Sequence, residues 1–344
     1  MINAKELLQL NESFSTEDSY RSSRAVSYST LKDINNDPNV LVKKKDDSKK
    51  MYLDLGTIVD VLLTEPKNFD DKVFISKYPL PSESIQKIVN IIVHKLKKNI
   101  ADITVEDAID LFKQVDSNVK WLPNTKLKKI LEDGKLHYLT VKQADGRTII
   151  SKDLLQKAKI LAVRTKTYPW TRKYFQTRNT ITQYKMKVKY GDVFVKAMLD
   201  ILDIDDKEQT ITPIDVKTGS LHPKAFMINF NKYKYYYQGG LYRKVLTDFI
   251  YTNIKELSEY KICPFKFIFI STINFLYPTI WNITDEKHNN ILNGYNDVYG
   301  NTIKGINELI NDVSIYNKQI KDSPYDPLVP TDLQKTDGQI DINI

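Results

Sequence analysis

Cysteine is almost absent: Cys263 is the single one in 344 residues. One thiol excludes an intrachain disulfide framework, and it excludes an iron–sulfur cluster or zinc finger ligated by cysteines of one chain. Long apolar runs are missing too, none approaching the roughly 20 residues that span a bilayer. The opening MINAKELLQLNESFSTEDSY lacks the basic-then-apolar pattern of a secretory signal. The expectation is a soluble, intracellular protein with no membrane partner. Arginine is scarce, seven against forty-four lysines. Lysines suit nonspecific attraction to phosphates, whereas few arginines argue against extensive bidentate base reading. With abundant Asn, Ile and Tyr, the same bias also fits an AT-rich genome.

What is present can build a core, since 41% of residues are hydrophobic and 27% charged. The length lies near the size at which single cores stop growing. It predicts one elaborated domain, or a core with an attached lobe. The net charge of +8 permits a nucleic-acid partner without identifying one, because solubility alone accounts for it.

Residues 1–50 are polar and broken, ending in the charge cluster 43–50. Leu53 to Leu63 reads as a buried helix stopped near Pro66. Ile85, Ile88, Val89, Ile92, Val93 and Leu96 recur at helical spacing. Thr104 with Asp107 predicts a capped helix to about Val115, and Ser151 caps another to about Val163. Leu136 to Val141, a turn at 144–147 and Thr148 to Ile150 read as a hairpin. After Thr180 the texture becomes strand-like, at 182–190, 193–204 and 210–217, with a late strand at 265–272. Residues 223–245 read as one aromatic-rich helix and 290–313 as mainly helical; 321–344 read as a weakly structured tail. The expected organisation is 1–66 as an N-terminal helical part, 67–179 as a helical, basic elaboration, 180–320 as the core, then the tail.

The most informative stretch is Lys196–Leu202 followed by Pro213–Gly219. Strand residues two apart share a face, about 6.6 Å from one another, so Asp215 and Lys217 point the same way. If the Asp200 strand pairs antiparallel with theirs, the two aspartates can share a cation. Oxygen ligands of this sort suit Mg²⁺ or Mn²⁺, and Lys217 would orient an attacking water near a phosphate. The other reading makes Asp200, Asp203 and Asp215 plain strand and turn residues. Asp200, however, stands within an apolar run, where an unpaired carboxylate is costly. Gln238 and Tyr242, four apart, share a helix face behind the run Lys232–Tyr237. The glutamine amide could hold a phosphate or water and the rings an unpaired strand, or the tyrosines simply pack on a sheet. The adjacent Gly239 and Gly240 weaken helical propensity and permit close packing.

At these residues the chain resembles the PD-(D/E)XK nuclease superfamily, in particular the phage and prophage branch of RecE-type exonucleases and, more distantly, phage lambda exonuclease. Asp200 matches the first core metal-binding aspartate, Asp215 the second acid and Lys217 the lysine. Gln238 and Tyr242 match the glutamine-to-tyrosine helix motif, and Ser29–Lys32 the serine-x-leucine entry helix. Gly56–Asp60 resembles the glycine-x-x-x-histidine box, with Asp60 where many relatives have a metal-contacting histidine. Gln183 stands near where some relatives carry a glutamate; a neutral amide is no electrostatic substitute.

The resemblance covers roughly 27–70 and 180–315. It implies an α/β fold: a restriction-endonuclease-like core with a mixed central sheet flanked by helices, carrying a mostly helical insertion. It further implies Mg²⁺ (or Mn²⁺) held by Asp60, Asp200, Asp215 and the Val216 carbonyl, with Asp200, Asp215, Lys217 and Gln238 catalytic. DNA contacts would come from Gln183, Arg172, Lys173, Arg178 and Tyr242. The basic run from Lys159 to Lys189 supplies phosphate donors, or else a solvated face. The implied activity is 5′ to 3′ digestion of linear duplex DNA in phage-type recombination or repair, in the cytoplasm, the host's if phage-encoded. A homo-oligomeric ring and a single-strand annealing partner come with the branch. An endonuclease or structure-specific nuclease on the same core, and a noncatalytic DNA-binding accessory protein, are the alternatives.

Overall fold

The computed structural model describes residues 3–34, 36–42, 55–116, 118–176, 179–273, 276–297, 300–322 and 328. The charge cluster 43–50, Arg178 and all but three residues of 321–344 therefore lie outside the described residues. The chain divides into two compact units, one of Met1–Asp46 with Val163–Ile344, the other of Asp47–Ala162.

The Asp47–Ala162 unit is mostly helical. Thr104 and Asp107 form the expected reciprocal capping box at the start of Val105–Val115, and Ser151 Oγ accepts from Leu154 N–H at the start of Lys152–Thr167. Ile85, Ile88, Val89 and Ile92 point into a core shared with Phe112, Ile130 and Val141. The hairpin expected at 136–150 is absent. Residues Lys135–Ala144 are helical, with His137, Tyr138, Val141 and Ala144 buried at helical spacing. Asp145 and Gly146, both at positive φ, end that helix. Thr148–Ile150 then pairs in parallel with Val73–Ile75. A strand partner 75 residues away leaves no local signal, which is why the segment reads as a hairpin.

The other unit is built on a mixed sheet. Its strands are β1 (Thr180–Tyr190), β2 (Val193–Asp205), β3 (Thr210–Gly219), β4 (Lys266–Ser271) and β5 (Thr279–Asn282), hydrogen-bonded in that order. The pairs are antiparallel except β3 with β4, and a short strand Lys261–Ile262 also joins β3. Two tight turns make the first three strands a meander, with Gly191 and Gln209 at positive φ. The parallel β3–β4 pair requires a crossover, supplied by α4 (Phe226–Lys232) and α5 (Tyr235–Asn253). These were expected as one helix. Left-handed Lys234 (φ 54°) splits them, although neither proline nor glycine marks the break. The 290–313 stretch likewise holds α6 (Asp285–Asn293), a small antiparallel pair at 295–296 and 302–303, and α7 (Ile306–Asp322).

Helix α5 lies against the sheet. Gly239 permits that approach, since a Cβ there would meet Ile283 Cδ1, just after β5, at 2.5 Å; a Cβ at Gly240 would instead meet Ile291 Cγ2 of α6 at 2.5 Å, so this glycine lets the neighbouring helices close in. The shared core includes Tyr184, Leu199, Leu241, Val245, Phe249, Phe267 and Phe269.

The N-terminal segment, α1 (Ala4–Leu10), α2 (Glu17–Ser22) and α3 (Tyr28–Ile34), is stitched to β1 and β2. Tyr184 Oη donates to the Leu8 carbonyl at 2.9 Å and Ser13 N–H to Lys185 O at 3.1 Å. Val26 bridges Val195, and buried Lys196 Nζ donates to the carbonyls of Tyr20 (2.6 Å) in the last turn of α2 and Ser23 (2.8 Å) at its C-cap.

Candidate active site

The β2–β3 ladder runs from Asp205↔Thr210 to Ile201↔Ile214 and stops there. One step further Asp200 would face Asp215. Instead the strands part, and Asp200 Oδ2 accepts the Val216 N–H at 2.7 Å. A strand residue sends its N–H and C=O to the same side, so the Val216 carbonyl is turned to the same gap. The parting coincides with an irregularity on the other side of β2. The buried set facing α5 reads Val193, Val195, Ala197, Leu199, then Leu202 and Ile204, a two-residue period that slips by one at 200–201. Gln183, between the registered pairs Thr182↔Ile201 and Tyr184↔Leu199 of β1 and β2, takes a left-handed φ of 52°. Such a conformation in a non-glycine residue costs on the order of 1–3 kcal/mol.

Asp215 and Lys217 do share a face, as their spacing predicts. Lys217 Nζ lies 2.6 Å from Asp215 Oδ2, and Gln238 Nε2 donates to Asp215 Oδ1 at 2.6 Å. Gln238 reaches the carboxylate because α5 crosses the sheet here. The donor geometry assigns the amide: the NH₂ faces the carboxylate, and Oε1 has no hydrogen-bond partner among the described residues. Asp215 Oδ2 meets Lys217 as a close ion pair but makes no hydrogen bond of ordinary angle. Burial pushes the Asp215 carboxyl up, and Lys217 and the Gln238 amide only partly offset it. Burial alone would push the Lys217 ammonium down, yet the carboxylates of Asp215 and Asp200 carry it above the ordinary lysine value. Lys217 is therefore charged at neutral pH, and its Nζ also lies 5.0 Å from the centre of the Tyr235 ring.

Tyr235 is a neighbour that the sequence reading did not single out. It stands three residues before Gln238, so helical spacing alone puts both on one face. Tyr28 is another. Its hydroxyl donates at 2.5 Å to the Tyr233 carbonyl beside the α4–α5 break, and burial, with Tyr235 and Asp215 nearby, raises its pKa.

The remaining expected residues are placed differently. Tyr242 is 8% exposed, one turn beyond Gln238, and burial together with nearby Tyr20, Asp215 and Asp200 pushes its phenol well up. Its ring has little surface to offer DNA, and Gln183 is buried as well. Arg172 and Lys173 are exposed; Arg178 lies outside the described residues. Asp60 sits on the helix Leu55–Thr64 of the Asp47–Ala162 unit, whereas Asp200, Asp215, Val216, Lys217 and Gln238 converge within the other unit. Among the described residues no three His, Cys, Asp or Glu side chains group to hold a metal. The donor set is two carboxylates and a backbone carbonyl, with a buried carboxylate oxygen left without an aligned donor. Hard oxygens so few in number fit a cation of the Mg²⁺ class, which keeps several of its waters.

No family model and no curated protein matches the chain. Among solved structures it is similar to a protein from Eubacterium rectale described as a "Putative exonuclease", at 13% identity and a TM-score of 0.40, with 96% of each chain covered. A likeness of that degree assigns no role to any residue here.

Proposed function

We propose that the chain is a divalent-metal-dependent deoxyribonuclease of the PD-(D/E)XK type, acting as an exonuclease on linear duplex DNA. The observation that carries this reading is the convergence of Asp200, Asp215, Lys217 and Gln238 where β2 leaves β3. Asp200, Asp215 and the Val216 carbonyl would hold the cation, which supplies charge neutralisation at the phosphate and activation of water. Asp200 is itself held by the Val216 N–H, so its second oxygen is aimed from a fixed carboxylate. Lys217, charged and held over Tyr235, orients the attacking water and offsets charge on the phosphate. Gln238 holds Asp215 in place through its amide N–H. Hydrolysis of the phosphodiester then needs no covalent enzyme intermediate. The exonuclease assignment and its 5′ to 3′ sense rest on the branch whose motif order the sequence resembles.

The test offers the purified chain linear duplex and covalently closed circular duplex in Mg²⁺ and in EDTA. Loss of the linear DNA alone supports the exonuclease; cutting of both makes it an endonuclease; binding without cutting makes it an accessory protein. Full activity in Asp200→Asn or Asp215→Asn refutes the assignment of the site.

A further inference from the structure

We infer that Tyr168, Trp170 and Tyr277 form a stacking platform for the unpaired nucleobases at a DNA end, an inference that rests on the nuclease reading for its choice of ligand. Trp170 is 44% exposed, yet its one polar atom is already used: Nε1 donates to the Pro278 carbonyl at 2.8 Å. What the indole offers outward is therefore ring surface rather than a donor. The Tyr168 ring centre lies 4.3 Å from it and the Tyr277 centre 6.3 Å, both steeply inclined, so the three rings brace one another. The turn that carries them is pinned from below. Thr171 is fully buried, its hydroxyl donating to the Thr165 carbonyl at 2.6 Å and its N–H to the Tyr168 carbonyl. Rings held in this way lose little freedom on binding.

The position matches the ligand. Pro278 directly precedes β5; Thr279 pairs with Phe269 of β4, and Phe269 pairs with Lys217 of β3. Trp170 is thus anchored about 10 Å, or two strand spacings, from the line of Lys217. It lies at the end of the sheet where β3 and β4 finish. That is a few nucleotide steps at ~3.4 Å each. Charge agrees: residues 163–176 carry Arg164, Lys166, Arg172 and Lys173 and no acidic residue. Aromatic faces among cations are how single strands are bound without sequence preference. The faces of bases inside a duplex are covered by their neighbours, so the ring surface selects frayed or overhanging ends.

The test is equilibrium binding in EDTA, where metal-dependent cleavage is silent. The probes are a duplex with a short overhang containing 2-aminopurine and a covalently closed, relaxed circular duplex, which has no ends and no unpaired bases. The wild type should bind the overhang duplex more tightly and quench its fluorophore. Trp170→Ala should weaken overhang binding roughly tenfold, the size of one lost base–ring stack, and remove the quenching. It should change closed-duplex binding less than about twofold, while Trp170→Phe restores most of both signals. Equal wild-type affinity for the two probes overturns the platform, as does equal loss on both in Trp170→Ala, or overhang binding unchanged by that substitution. Cleavage of linear DNA is read separately, so a nuclease without the platform and a platform without nuclease activity give different results.

Discussion

Replacing Lys217 by methionine removes the cation 2.6 Å from Asp215 Oδ2 while keeping most of the side chain's volume. At an effective dielectric of 20 the gross attraction across that distance is about 6 kcal/mol. Desolvation of the two charges consumes much of it, so the pair's net worth is small but the cost of breaking it is large. The two ends are unequally buried, side chains 3% exposed at Asp215 and 19% at Lys217. Stranding the carboxylate is therefore worse: Lys217→Met should cost about 3–5 kcal/mol at pH 8. Asp215→Asn should cost less, about 2 kcal/mol, because the ammonium can still reach water and Asn can still accept from Gln238. The double variant, with no buried charge left, should return to within about 1–2 kcal/mol of the wild type.

The pH dependence has a definite sign. Burial already holds Asp215 above the usual carboxylate range, and losing Lys217 raises it further. Such a group lends full stability below its unfolded value near 3.9 and loses it as pH rises through the folded value. The deficit of Lys217→Met should therefore shrink as pH falls from 8 towards 5. Urea unfolding of the four proteins at both pH values measures all of this. Losses that simply add in the double variant, or a deficit that does not change with pH, would refute the reasoning.

Asp200→Asn keeps an oxygen that can accept the Val216 N–H, so it should lose at least about 100-fold in cleavage while its urea-derived stability changes by less than about 1 kcal/mol. Gly240→Ala places a methyl 2.5 Å from Ile291 Cγ2 and 3.0 Å from Ile306 Cδ1; an overpacking cost of about 1–3 kcal/mol should outweigh the helical gain of up to ~1 kcal/mol and lower the Tm. Gln238→Glu sets a second carboxylate against buried Asp215, so it should harm both stability and cleavage more than Gln238→Leu, measured side by side; the reverse order would mean the amide contact is unimportant.

Much of this architecture is legible in the residues. Alternation in Thr210–Gly219 places Asp215 and Lys217 on one face, and both meet there. The antiparallel pairing of the Asp200 and Asp215 strands, a condition of the shared cation, is met by the β2–β3 ladder. What stays hidden has physical reasons. The slip of period at 200–201 coincides with a left-handed Gln183, a residue type that does not mark such a conformation. Lys234 breaks a helix without a breaker, and Tyr28 secures the break from 205 residues away. Trp170 announces nothing until Pro278, just before β5, supplies the carbonyl that anchors it.

The stitching of the N-terminal segment to β1 and β2 also sets an order of assembly. Leu8 meets Tyr184 and Tyr20 meets Lys196 across a sequence separation of 176 residues in each case. Neither of these contacts can form until the strands near 180–200 leave the ribosome. In between lies a compact unit of 116 residues, Asp47–Ala162. If it folds first, the flexible loop to be closed falls to roughly 60 residues, which lowers the closure cost by about 1 kcal/mol. The part synthesised first is then the last to lock. Pulsed hydrogen exchange during refolding should protect the amides of Val105–Val115 before those of Ser13 and Val26, and the opposite order would show that the ends of the chain find each other unaided.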